Sequence, residues 1–271
     1  MSLITVLGAG YVGLTTSACF SQIGHHVICA DIDTEKIDRL NEGIVPIYEN
    51  GLDRLIELGF NSGNLFFTSE ISEAVYESDA VFLCVPTPSR EDGSVDISYI
   101  ESAVDMIADF LQPEVLLVTK STVPVGTARM IEERLNREDV FVLSNPEFLK
   151  EGSAVDDFFF PDRIVIGSTD LGAAERLLNL YSVISTDTII TDQASAELIK
   201  YASNAFLATK LSFINSIATI CEGTYADIDD VALGMGLDKR IGKSFLQAGL
   251  GWGGSCFPKD TSALISIAEG V

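Results

Sequence analysis

The sequence lacks any apolar run approaching the roughly 18 residues that a membrane-spanning helix needs. Its five cysteines are odd in number, and no two stand at C-x-x-C spacing. That excludes a disulfide framework and a zinc-ligand set, so no metal site is expected. Basic residues are scarce: 17 Lys and Arg stand against 40 Asp and Glu, for a formal net charge of -23. Such a field repels nucleic acid and anionic membranes, and neither is an expected partner. An anionic substrate would need basic residues gathered locally. The first residues, MSLITVLGAG, enter a strand pattern at once. They lack the basic region, apolar stretch and cleavage site of a secretory signal, so the chain reads as cytoplasmic.

What the chain does have is length and apolar content, 271 residues and 47% hydrophobic, enough for a large core or for one domain and a smaller one. Short apolar runs at 4–7, 27–30, 81–85, 115–119, 141–143, 164–167 and 188–191 read as strands. Helical spacing lies between them at 11–24, 34–41, 96–110, 127–136 and 172–182. This alternation predicts an α/β fold, a Rossmann-type doubly wound parallel sheet with helices on both faces. The pattern changes near residue 192. Residues 194–224 form one helical run that contains no Pro and is apolar over too wide an arc for a surface helix. Both its sides are expected to be buried, between domains or in a dimer interface. A short helix at 228–234, a Gly-rich stretch GLGWGGSCFPKD and a last helix from about 258 follow. The expected division is a dinucleotide-binding domain over 1–192 and an all-α domain, built on the long helix, over 193–271.

Gly8-Ala-Gly10-Tyr11-Val12-Gly13 follows the first strand and opens a helix, and a second strand ends at Asp31. A G-x-G-x-x-G string by itself is weak; in this setting it is specific for a dinucleotide. Gly8 permits the tight turn, Gly10 lets a pyrophosphate approach the backbone, and Gly13 lets helix and strand pack closely. The helix N-terminus faces the phosphates with its N–H groups. A carboxylate at Asp31 accepts from the ribose hydroxyls and repels a 2′-phosphate, which favours NAD; Lys36 and Arg39 lie nearby.

Cys19, Cys29, Cys84 and Cys221 stand in apolar contexts, as small core residues do. Cys256 differs. Pro258 suits a first helical turn, so the thiol sits at or just before a helix N-terminus, with Lys259 beside it; both favour the thiolate. Gly251, Gly253 and Gly254 leave room for a ligand. A nucleophile is the reading that this setting favours over an inert buried thiol. Lys200 and Asn204, at i and i+4, share one face of the long helix. They read equally well as functional groups or as a snorkelling lysine and a packing amide.

In order along the chain, GAGYVG, CVPTP, KSTVPVGT, NPEFLKEG, the Lys200/Asn204 helix and GGSCFPKD resemble the UDP-glucose/GDP-mannose dehydrogenase family. The likeness covers essentially the whole chain, and KRIGKSFLQAGLGWGGSC is more similar to the UDP-glucose branch. The resemblance implies a four-electron oxidation of a sugar C6 alcohol to a carboxylate with two NAD. Cys256 would attack the intermediate aldehyde, and a thiohemiacetal would become a thioester that water cleaves. Lys200 would stabilise oxyanions with Asn204 as second donor, and Asp260 with Thr122 would position or deprotonate water. Glu147 and Glu151 match positions for proton handling and for packing at the nicotinamide. Thr87, Thr122, Lys36 and Lys259 match cofactor contacts, along with Tyr11 and Val12 of the motif. Phe148, Leu149, Phe245, Leu246 and Gly253 match the lining of the sugar-nucleotide site, and Arg240 an arginine reaching it across a homodimer formed through the long helix. Family members continue past the equivalent of Val271 into a second Rossmann-like domain that binds the nucleotide. Because the sequence stops there, that domain is expected to be absent, with most base contacts missing, NAD binding retained and full turnover lost. Other sugar nucleotides (UDP-N-acetylhexosamines, GDP-mannose) fit the same motifs. A two-electron dehydrogenase of the β-hydroxyacid type shares the Lys/Asn pair but needs no cysteine. A non-catalytic NAD-binding fragment that only dimerises is the third possibility.

Overall fold

The computed structural model describes residues 1–250, 254 and 256–270. It divides into two compact units, residues 1–90 with 95–200, and residues 91–94 with 201–271.

The first unit begins with the cofactor-type repeat: β1 (Leu3–Leu7), α1 (Tyr11–Ile23), β2 (His26–Ala30), α2 (Thr34–Asn41), α3 (Leu52–Ser62) and β3 (Leu65–Thr68). It continues through α4 (Ile71–Tyr76), β4 (Ala80–Leu83), α5 (Ser98–Ile107), β5 (Leu116–Thr119), α6 (Thr127–Leu135) and β6 (Phe141–Ser144). It then adds α7 (Ala154–Phe159), β7 (Arg163–Gly167), α8 (Leu171–Leu180) and β8 (Asp187–Thr191). The strands form one sheet in the order β3-β2-β1-β4-β5-β6-β7-β8. The order reverses between β1 and β4, and such a switch point opens a crevice at the carboxyl ends of the strands.

Strand alternation divides the core in two. Ile4, Val6, Ala80, Phe82, Leu116 and Val118 join one buried cluster, while Leu7, Val81, Leu83 and Leu117 join the other. Successive side chains point to opposite faces. Strands covered on both faces therefore need to be apolar at every position, as AVFL of β4 and LLVT of β5 nearly are.

Two expectations change. The sheet is not wholly parallel: β7 meets β6 antiparallel, through the pair Ser144 and Gly167. A parallel neighbour would need a crossover back to the opposite edge; the paired residues Ser144 and Gly167 are the last of their strands, so β7 comes in from beyond the carboxyl end of β6. Next, α3, β3, α4 and α7 had no expected counterpart. Helices α4 and α7 have six residues each and β3 four, too short for a periodic signal. In α9 (Gln193–Thr224) the single chain covers one face. Ala196, Lys200, Tyr201, Asn204, Ile214 and Cys221 are buried, while Leu198, Phe206, Phe213 and Ile220 are exposed. The wide apolar arc is a buried face plus an uncovered stripe.

The division between units falls within α9, after Lys200. The second unit adds α10 (Ile228–Gly236) and α11 (Cys256–Glu269). Among the described residues, no helix is long and apolar enough to cross a membrane.

Candidate functional site

In the first unit the glycine motif occupies the turn from β1 into α1. Gly8 has φ +104, and a Cβ there would lie 2.6 Å from the Cys84 carbonyl oxygen. At Gly13 a Cβ would lie 1.8 Å from the Gly8 carbonyl oxygen. Both positions are closed to any side chain. Gly10 is the opposite: a Cβ there would meet nothing within 4 Å. It caps α1 without any side-chain hydrogen bond to the N–H groups of the first turn. Tyr11 and Val12 at the start of α1 are half-buried.

Asp31, at the end of β2, completes the cradle. Its Oδ2 accepts from the Ala9 amide at 2.7 Å and from Lys36 Nζ at 2.9 Å, and its Oδ1 from the Asp33 amide at 2.9 Å. Burial opposes ionisation, but the Asp33 amide, Lys36 and the Ala9 amide outweigh it and hold the carboxyl below its ordinary value. A closed turn, an open helix N-terminus and an ionised acid at the second strand are what a dinucleotide's pyrophosphate and ribose require. The residues present therefore fit NAD.

The loop after β6 carries the second group of residues. Glu147 Oε1 accepts from Lys200 Nζ at 2.8 Å, and Glu147 Oε2 from the Leu149 amide at 2.6 Å. Lys200 Nζ also lies 5.4 Å from the Phe148 ring centroid, and the Arg163 guanidinium 3.8 Å from it. Phe148 and Leu149 are half-buried, and Glu151 is exposed. Thr122 lines a small cavity with Ser121, Ser144, Pro146, Glu197 and Lys200. Thr87, four residues beyond β4, is half-buried.

In the second unit Cys256 is the first residue of α11, and its side chain is exposed, whereas Cys19, Cys29, Cys84 and Cys221 are buried. Asp260, one turn further, is buried; its Oδ2 accepts from Asn204 Nδ2 at 2.6 Å, and its Oδ1 lies 2.8 Å from Lys259 Nζ. Leu246 is buried. Phe245 holds φ +62, a conformation that bulky side chains rarely adopt, with its ring 6.2 Å from that of Phe257. Arg240 is exposed and paired within its own loop to Asp238 at 2.6 Å. Gly251 and Gly253, expected beside the thiol, lie outside the described residues; Gly254 has φ +84. Among the described residues, no group of three or more His, Cys, Asp or Glu could hold a metal ion.

The structure adds polar residues that reasoning from sequence missed. Lys120 is buried, with Nζ 3.0 Å from Asn145 Oδ1 and 3.3 Å from the Tyr181 hydroxyl. Burial pushes its pKa down to about 8. Glu197 sits at the start of α6, accepting from the Gly126 and Ala128 amides at 2.6 and 2.8 Å; burial raises its pKa against those bonds. Glu49 is buried and accepts from Gly152 and Ala154. A lysine directly after the apolar run LLVT was a usable signal for Lys120. Glu49 and Glu197 stand among other acids and gave none.

Two profiles of known families match the chain. That described as the UDP-glucose/GDP-mannose dehydrogenase family, NAD binding domain, matches residues 2–185, and that described as the central domain of the same family matches residues 194–271. A UDP-glucose 6-dehydrogenase of Bacillus subtilis (strain 168) is 50% identical over 273 residues, covering 99% of this chain and 62% of that protein. The structure of a UDP-glucose dehydrogenase from Pyrobaculum islandicum superposes with a TM-score of 0.94 at 43% identity, covering 100% of this chain and 64% of the other. That of a GDP-mannose dehydrogenase from Pseudomonas aeruginosa gives a TM-score of 0.83 at 35% identity, covering 98% and 64%. The chain thus spans less than two thirds of the length of each.

Proposed function

The chain belongs to the UDP-glucose/GDP-mannose dehydrogenase family, and from that premise we propose that it carries the cofactor-binding and thiol-bearing parts of an NAD-dependent enzyme that oxidises the C6 alcohol of a sugar nucleotide to a carboxylate, UDP-glucose to UDP-glucuronate. The observation that carries this reading is the arrangement around α11: an exposed thiol at its first residue, and one turn on a buried carboxylate held by Asn204 and Lys259. A two-electron dehydrogenase has no use for that thiol.

Gly8, Gly10 and Gly13 form the turn that receives the pyrophosphate, with Tyr11 and Val12 in the first helical turn, and Asp31 with Lys36 takes the ribose. Thr87, Thr122, Glu151 and Lys259 complete the cofactor contacts. When bound, NAD accepts a hydride in each of two successive oxidations. Lys200, fixed by Glu147, supplies positive charge to the sugar oxygen as it becomes anionic, and Asn204 donates a second hydrogen bond. Cys256 Sγ adds to the aldehyde carbon to give a thiohemiacetal, and its oxidation leaves a thioester. Asp260 and Thr122 hold the water that cleaves it, returning the thiol and releasing the carboxylate. Glu147 takes part in proton handling. Phe148, Leu149, Phe245, Leu246 and Gly253 line the sugar-nucleotide site, and Arg240 reaches it from a second copy. The expected domains are 1–192 for the cofactor and 193–271 for the helical part. The uncovered stripe of α9, with Phe206, Phe213 and Ile220, supports a homodimer through that helix.

The test is the amount of NADH formed per UDP-glucose consumed. Two supports this reading. One would move the protein to the β-hydroxyacid type, and none, in a sample that binds NAD, would leave a non-catalytic dimerising fragment. GDP-mannose and UDP-N-acetylhexosamines, offered in parallel, decide the substrate.

A further inference from the structure

Glu49 lies in the segment between α2 and α3 and is 3% exposed. Every group bonded to its carboxylate is a donor. Oε2 accepts from the Gly152 amide at 2.8 Å and from the Tyr11 hydroxyl. Oε1 accepts from the Ala154 and Asn50 amides, each at 3.1 Å. Four donors suit an ionised carboxylate, which only accepts, and no neutral side chain replaces it. Burial, and then the bond to Glu49, raise the Tyr11 pKa, so the phenol stays a donor across the working pH range.

The partners come from two places of consequence. Tyr11 is the first residue of α1, inside the glycine motif. Gly152 and Ala154 close the loop that begins after β6 and bears Glu147 and Glu151. Residues 145–153 form no helix or strand, so side-chain acceptors set the shape of that loop. At its front, Asn145 Nδ2 donates to the Val165 carbonyl at 2.8 Å, while its Oδ1 accepts from Lys120 and Tyr181. In its middle, Lys200 and Asp157 hold Glu147 and Lys150. Its end is held by Glu49, which also grips the cofactor motif through Tyr11; the Tyr11 hydroxyl in addition meets the Lys150 carbonyl of the loop at 3.3 Å.

We propose that Glu49 is a positioning residue that couples the dinucleotide motif to this loop: one buried carboxylate ties Tyr11 to the Gly152 and Ala154 amides, so that NAD binding at α1 firms the segment carrying Glu147 and Glu151. This rests on the assignment of that loop to the sugar-oxidising site given above. A carboxylate that merely stabilised the fold would be felt equally with and without cofactor; a coupling residue is felt in the difference.

Amide hydrogen exchange by mass spectrometry, with and without NAD, reads that difference in the wild type, Glu49→Gln and Tyr11→Phe. In the wild type NAD slows exchange both in peptides over 8–14 and in peptides over 147–156. In Glu49→Gln, the Gly152 and Ala154 amides exchange about tenfold faster without cofactor, because an amide offers fewer acceptor positions to the same donors. NAD still protects 8–14 but no longer 147–156. Tyr11→Phe keeps the cofactor-free protection of Gly152 and Ala154 and loses the NAD-dependent increment at 147–156. Retention of that increment in either variant overturns the coupling. Should Glu49→Gln fail to fold, Glu49→Asp, which keeps the charge but shortens its reach, takes its place beside Tyr11→Phe, whose hydroxyl also meets the Lys150 carbonyl. Protection of 8–14 reports the cofactor assignment separately; its absence in the wild type would sink that assignment and the coupling with it.

Discussion

Lys200 Nζ stands 2.8 Å from Glu147 Oε1, with side chains only 6% and 9% exposed. Removing one member of such a pair leaves the other charge buried, at a cost of about 3–5 kcal/mol. The two removals are not equivalent, because the buried Lys120 also interacts electrostatically with both groups, attracted by Glu147 and repelled by Lys200. Glu147→Gln leaves two buried lysines without their shared anion, whereas Lys200→Met leaves Glu147 with Lys120 still at hand. Urea denaturation is expected to place Glu147→Gln below Lys200→Met in stability, with the double variant recovering part of the loss. Equal losses for the two single variants would contradict this.

The glycines of the motif separate folding from binding. Gly13→Ala drives a methyl into the Gly8 carbonyl and should destabilise the protein by about 3 kcal/mol or more. Gly10→Ala meets open space and a backbone at φ -87 that suits alanine. It should leave the melting temperature within a degree or two, since its ΔΔG is within ~0.5 kcal/mol. On the proposed role of Gly10 its methyl would stand in the way of the pyrophosphate, so calorimetric titration should show NAD affinity lowered by about tenfold or more. Unchanged affinity would move the pyrophosphate away from Gly10.

Lys120 gives a pH dependence of definite sign. Burial lowers its folded pKa to about 8 from 10.5, so between those values the unfolded chain binds more protons, and stability rises with pH. The penalty for the buried charge is complete below pH 8 and is relieved by 10.5. Measured as the difference from Lys120→Met, which cancels other alkaline titrations, the wild type should gain up to about 3 kcal/mol across that window. A flat difference would mean that Asn145 and Tyr181 hold the charged form.

Replacing Cys256 should separate the two halves of the proposed reaction from the cofactor site. Cys256→Ala is expected to keep NAD affinity within about twofold while UDP-glucuronate formation falls by about a thousandfold or more. An alanine variant that still made the uronate at the wild-type rate would remove the thiol from the mechanism.

Asp31 gives a pH dependence of the same sign as Lys120, in the acid range. Its folded pKa lies below the ordinary value, so its contribution is present above the unfolded pKa and is lost as pH falls through the folded one. In acid, below about pH 4, the wild type should lose stability faster than Asp31→Asn in parallel thermal melts.

What the residues determined by themselves was whatever depends on short range and on repetition. Apolar runs bounded by glycine set the main strands, period-3.6 spacing set the long helices, and the spacing of Gly8, Gly10, Gly13 and Asp31 named a dinucleotide before any coordinate. Cys256 before Pro258 pointed to the start of a helix, and α11 begins at Cys256. Short elements gave too few residues for a period, so β3, α4 and α7 went unseen. The tertiary structure alone decided the antiparallel junction of β6 and β7, because strand direction depends on where the connecting chain ends and not on the strand's own residues. It alone decided which half of the apolar α9 surface is covered. It alone brought Glu49 to Gly152, Lys120 to Asn145 and Glu197 to α6, since a buried charge is defined by donors and acceptors from distant segments, and its own sequence neighbours carry no trace of them.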